Sequence, residues 1–144
     1  MKLNMDCVRD ILLCVEENTG LRKACSFVDT ELADATNFLG NSSAPQKYQE
    51  ELNEKYSNNE LMYHVQYCAK AGLIKTDNTD FGARIYVYDL TPYGHDFLSN
   101  IRNQDNWAKT KEIGGKVGAF SLNMVAKIAE GVATAYLNKL LGTN

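Results

Sequence analysis

The sequence predicts an α+β domain, and three stretches carry that reading. "YSNNELMYHVQYCAKAGLI" (Tyr56 to Ile74) reads as a capped helix, a glycine stop and the start of a strand. "RIYVYDL" (Arg84 to Leu90) is β-branched and aromatic, the composition of a strand. Between them "KTDNTDFGA" (Lys75 to Ala83) is dense in Asp, Asn and Gly, which makes it a turn-forming tip. A helix followed at once by two strands and a polar tip is the helix-and-wing pattern of a winged-helix domain. The predicted organisation is a winged-helix domain over residues 1–104 and a C-terminal helical extension over residues 105–144.

The elements follow in order. Val8, Ile11, Leu12 and Val15 recur at helical spacing, so a first helix runs from Met5 to Asn18, capped by Asn4 and stopped by Asn18-Thr19-Gly20. Asp29 or Thr30 caps a short second helix carrying Leu32, Ala35 and Leu39 inward, and "GNSSAP" (Gly40 to Pro45) is a loop by composition. Tyr48, Leu52 and Tyr56 line up on a further helix. Ser57 and Glu60 form the S-x-x-E box that opens the helix over residues 58–71. Leu61, Val65 and Cys68 are its apolar stripe, and Gly72 takes the left-handed conformation that ends it. Ile85 and Val87 on one face of the strong strand, and Tyr86 and Tyr88 on the other, predict a strand covered on both sides. Thr91-Pro92 starts another helix, with Phe97, Leu98 and Ile101 toward the core. Ser121 caps the last helix. Leu122, Val125, Ala129, Val132 and Tyr136 alternate three and four apart along it, close to a heptad seam. That surface needs a partner, either its own domain or a second copy, and a homodimer is expected.

"MDCVRDILLCVEEN", "YSNNELMYHVQYCAKAGLI", "LTPYGHDFLSNIRNQDNW" and the helical tail resemble an uncharacterised domain-of-unknown-function family. Its members are hypothetical proteins of phages and of bacteria that carry prophages. Its most specific pieces here are Tyr63-His64, Ala71 to Ile74, Leu90-Thr91 with Gly94-His95 and Phe97-Leu98, and Trp107. The resemblance implies a winged-helix-like core and phage or prophage origin, and brings no established activity. Between the first helix and Tyr56 the chain is longer than that family's pattern, which marks residues 21–56 as an insertion.

Charge limits the function classes. The 144 residues carry a formal net charge of −3. Residues 1–43 hold four basic and seven acidic groups, 44–104 six and eight, and 105–144 five and three. No strongly basic face is expected, so non-specific nucleic-acid affinity is weak. Even so, at 100° per residue Asn59, Tyr63, Gln66 and Lys70 fall together, opposite the apolar stripe. Asn and Gln pair with adenine edges, and Lys70 meets a phosphate. Lys75 and Arg84 flank the wing tip, over residues 75–84, and reach the backbone. The expected function is a small DNA-binding regulator. The alternative is a protein-interaction module that binds or blocks a host protein, which the acidic balance of residues 1–104 favours.

Other chemistries have little support. His64 and Cys68 stand four apart on one helix, but two ligands are not a metal site. His95 has no nucleophile or orienting group in a recognisable pattern, so no enzyme and no cofactor is expected. The greasy stretch from Val117 to Leu141 is broken by Asn123, Lys127, Glu130, Asn138 and Lys139, so it is not a membrane span. Asp6, Arg9 and Asp10 stand where an export signal needs apolar residues, so the expected location is cytoplasmic. Cys7, Cys14, Cys25 and Cys68 are then free, buried thiols.

Overall fold

The computed structural model describes residues 1–36, 44–77, 82–118 and 121–143. The chain is α+β, with seven helices and a three-stranded antiparallel sheet among the described residues. It divides into two compact units, Met1–Pro92 and Tyr93–Asn144. The predicted Leu39, the side chain of Ala35, part of the loop from Gly40 and the centre of the wing tip lie outside the described residues.

In the first unit α1 (Met5–Asn18) buries Val8, Ile11, Leu12 and Val15 completely, as its periodicity requires. The side chain of Asn4 accepts from the backbone N–H groups of Asp6 and Cys7 and caps it. Next comes β1 (Cys25–Val28), a strand the sequence does not announce. It pairs antiparallel with β3 (Arg84–Leu90), and β3 pairs on its other side with β2 (Ile74–Thr76), giving the order β1-β3-β2. The strand Cys25–Val28, which falls within the stretch marked as an insertion, is thus part of the sheet. The helices α1 and α4 (Asn58–Lys70) pack on each other and on the strands, burying Phe27, Ile85 and Val87.

Two short helices, α2 (Thr30–Thr36) and α3 (Lys47–Asn53), connect β1 to α4. On α2 the inward residue is Ala33, and Leu32 is exposed, contrary to the expectation. The helix starts on the Asp29 carbonyl, which accepts the Ala33 N–H at 2.8 Å, and this phase turns Leu32 to solvent. On α3, Tyr48 and Gln49 satisfy the outward backbone of β1. The Tyr48 hydroxyl lies 2.8 Å from the Ser26 N–H and 3.0 Å from the Ser26 carbonyl. The Gln49 amide accepts from the Val28 N–H at 2.8 Å and donates to the Val28 carbonyl at 2.7 Å.

The helix α4 ends as its sequence requires. Gly72 sits at φ 77°, the Leu73 N–H bonds the Cys68 carbonyl and the Gly72 N–H bonds the Ala69 carbonyl. Its start differs from a reciprocal box. Ser57 accepts from the Glu60 N–H, but the Glu60 carboxylate accepts from the Asn4 amide at 2.7 Å instead of turning back. The β3 strand is covered on one face only. Ile85 and Val87 are buried, whereas Tyr86 is 53% exposed and Tyr88 also faces out, its hydroxyl bonded to Asp77.

The second unit holds α5 (Pro92–Ile101, its proline at the boundary), α6 (Gln104–Val117) and α7 (Leu122–Leu140). Phe97, Leu98, Ile101 and Trp107 are buried, and the Lys111 ammonium lies 5.7 Å from the centre of the Trp107 ring. Gly114 is buried within α6, and Gly118 ends that helix at φ 67°. The α6 and α7 helices pack together. Ser121 caps α7 by accepting the Met124 N–H.

Candidate nucleic-acid interface

The candidate surface is the outer stripe of α4. Leu61, Val65 and Cys68 are fully buried, and the same turn of the wheel leaves Asn59, Tyr63 and Lys70 exposed and Gln66 half-buried. These four residues therefore share one solvent-facing side, as their spacing predicts.

The helix behind them is held at its first two turns. Asn58 accepts the Thr30 N–H at 2.9 Å and donates to the Val28 carbonyl at 3.1 Å, joining α4 to the end of β1. His64 is fully buried. Its Nδ1 donates to the Glu60 carbonyl at 2.8 Å, and its Nε2 accepts the Asn4 backbone N–H at 2.8 Å. Those partners fix the neutral Nδ1–H tautomer. The Tyr63 ring stands edge-on to the His64 ring, 5.3 Å between centroids and 71° between planes. A locked imidazole thus lies against one residue of the exposed stripe. The sequence marks His64 as a boundary residue; its full burial follows from the close approach of α1, which a single helix's pattern does not reveal.

The remaining predicted contacts separate. Lys75 is exposed and sits opposite Asp89 in the β2–β3 register. The Nη1 of Arg84 donates to Ser26 Oγ at 2.8 Å, so its guanidinium is held over β1. There it lines a cavity of about 520 Å³ with Lys23, Lys47, Tyr48 and Tyr86.

On α7 the seam divides by depth. Val125 and Ala129 are buried within a single chain, Leu122 and Val132 are half-buried, and Tyr136 is exposed. The apolar surface that stays open lies toward the end of the helix, at Tyr136, Leu137, Leu140 and Leu141. A groove of about 450 Å³ runs between α6 and α7, with Ile113, Ile128, Val132 and Tyr136 among its lining residues.

The four cysteines are free and buried. Burial pushes the Cys7 and Cys14 thiols up to about 12 and the Cys25 thiol up to about 11, and it raises Cys68 as well. Burial, with the Asp10 carboxylate, also raises Tyr56, whose hydroxyl donates to Asp10 at 2.7 Å. Among the described residues no three His, Cys, Asp or Glu side chains gather in a way that would hold a metal ion. His95 is exposed near the start of α5. No described helix is long and apolar enough to cross a membrane.

No curated protein and no solved structure matched the chain. Residues 2–120 match the family described as Hypothetical protein (DUF2513), which agrees with the uncharacterised family the sequence resembles, and the chain belongs to that family.

Proposed function

We propose that the chain is a winged-helix DNA-binding regulator of phage or prophage origin. What supports the fold reading is the order of the first unit: helix, strand, connecting helices, α4, then a hairpin whose second strand pairs with β1. The observation that carries the DNA reading is the open polar stripe of Asn59, Tyr63, Gln66 and Lys70 on a helix whose opposite side is wholly buried. In that reading α4 enters the major groove, Asn59 and Gln66 meet base edges, and Lys70 and Lys75 meet phosphates. So few cations give weak affinity per copy. Two copies joined through the open apolar end of α7 raise it by binding paired half-sites.

A salt titration of binding to random duplex DNA tests the reading. Weak binding that falls steeply with salt is expected. No binding at low salt removes the DNA role and leaves the second reading, a module that binds a host protein. The acidic balance of residues 1–104 favours that alternative. It predicts one stoichiometric protein partner whose capture is unaffected by nuclease.

A further inference from the structure

The cavity beside Arg84 is lined by three cations, Lys23, Lys47 and Arg84, and by no carboxylate. This is against the grain of its unit, in which Met1–Pro92 carries nine Lys and Arg against fourteen Asp and Glu. Lys23 and Lys47 make no ion pair with any described residue. An anion that enters gains from all three charges at once.

The walls are positioned as well as charged. Arg84 spends one N–H on Ser26 Oγ and keeps its other donors for a ligand. Tyr48 is fixed by its hydroxyl on both backbone groups of Ser26, and its ring meets Phe27 edge-on at 5.9 Å. Tyr86 lies across from Ser26 in the strand register and offers an aromatic ring that is half in solvent. The volume of about 520 Å³ suits a small molecule.

We propose that this cavity binds a nucleotide unit, its phosphate on Lys23, Lys47 and Arg84 and its base stacked on Tyr86. A phosphate suits the arginine fork and two point charges, and a planar base suits an open tyrosine face. Gln46 also lines the cavity, as does Asn18, whose amide nitrogen donates to the Cys14 carbonyl at 2.8 Å. Free mononucleotides and single-stranded nucleic acid both present this unit. The proposal does not rest on duplex recognition by α4, because no residue of that stripe lines the cavity.

The test is a calorimetric titration of the full chain with AMP, inorganic phosphate, adenosine and a tetrathymidylate. AMP is expected to bind more tightly than phosphate or adenosine alone. A Lys23→Ser/Lys47→Ser variant and a Tyr86→Ser variant should each weaken AMP about tenfold, the size of losing one base stack or its equivalent in charge. All three side chains are exposed, so circular dichroism should show an unchanged fold. Asn59→Ala with Lys70→Ala should leave AMP binding intact, which separates this site from the α4 stripe. Tetrathymidylate binding tighter than AMP, and weakened by the same variants, assigns the unit to a strand; the reverse order assigns it to a free nucleotide. Failure of both ligands to bind, affinity unchanged in either variant, or phosphate binding as tightly as AMP overturns the proposal.

Discussion

The backbone N–H of Asn4 donates to Nε2 of His64 across 2.8 Å, joining residues sixty positions apart in the chain. The Asn4 amide reaches Glu60 on the same helix, and the other nitrogen of His64 meets the Glu60 carbonyl. One asparagine therefore caps α1 and ties its start to the first turns of α4. Loss of either member should disturb both helices. His64→Leu leaves the part-buried Asn4 N–H without its partner and should cost about 1–3 kcal/mol, read as a lower urea midpoint with an unchanged slope. Asn4→Ala should cost about 1–2 kcal/mol through the lost cap. In a double-mutant cycle the two should couple by about 0.5 kcal/mol or more, since they share Glu60; strict additivity would mean that they act separately.

The hydrogen bonds from α3 to β1 predict a second effect. Gln49→Leu acts at a fully buried position. It removes the acceptor of the Val28 N–H and one of the two side-chain donors to the Val28 carbonyl, the Asn58 amide remaining, and should destabilise by about 2–3 kcal/mol. Tyr48→Phe keeps the ring against Phe27 and removes only the hydroxyl, so about 1 kcal/mol is expected. Equal losses for the two variants would contradict this account.

The buried thiols give a pH dependence. In the unfolded chain a thiol loses its proton near 9.0, whereas in the fold Cys25 holds it to about 11 and Cys7 and Cys14 to about 12. Above 9.0 the unfolded state therefore binds fewer protons and is favoured. The stability these groups contribute is complete below pH 9.0 and is lost as pH rises toward 12. The urea midpoint should fall across that window. A thiol-reactive disulfide reagent at about pH 8 should label none of the four cysteines until denaturant is added. Rapid labelling of the native chain would place a thiol at the surface.

The DNA reading predicts different outcomes for different residues of the stripe. Lys70→Ala should weaken duplex binding uniformly and reduce the salt slope by about 1, as loss of one phosphate contact does. Asn59→Ala or Gln66→Ala should leave the slope alone and remove about 1–3 kcal/mol of preference for a selected sequence. If all three variants bind as the parent does, α4 is not the reading surface.

Self-association is testable on the open end of α7. Leu137→Asp with Leu140→Asp should turn a sedimenting dimer into a monomer without loss of helix, because both side chains are exposed in the single chain. Val125→Asp should instead unfold its own unit, since Val125 is already buried there. A parent protein that sediments as a monomer at micromolar concentration ends the dimer account.

The long elements were legible because each carries its own periodic signal. α1, the apolar side of α4 and the inward residues of α5 follow from spacing alone. β1 did not, because "CSFV" is buried at every position and so shows no alternation, and its partners lie on β3 and α3. Tyr86 and Tyr88 misled for the opposite reason: aromatic content signals a strand but not which face is covered. The α4 stripe was readable as a wheel position. The cationic cavity was not, because Asn18, Lys23, Lys47 and Arg84 come from separate segments that only the sheet brings together.

Tyr48 and Gln49 stand where the backbone of a neighbouring strand would otherwise lie beside β1. The margin of the sheet is thus plugged by side chains, a safeguard against edge-to-edge stacking of copies. At the opposite margin β2 spans only three residues. Strand addition by a peptide would therefore meet side chains at one margin and a three-residue strand at the other.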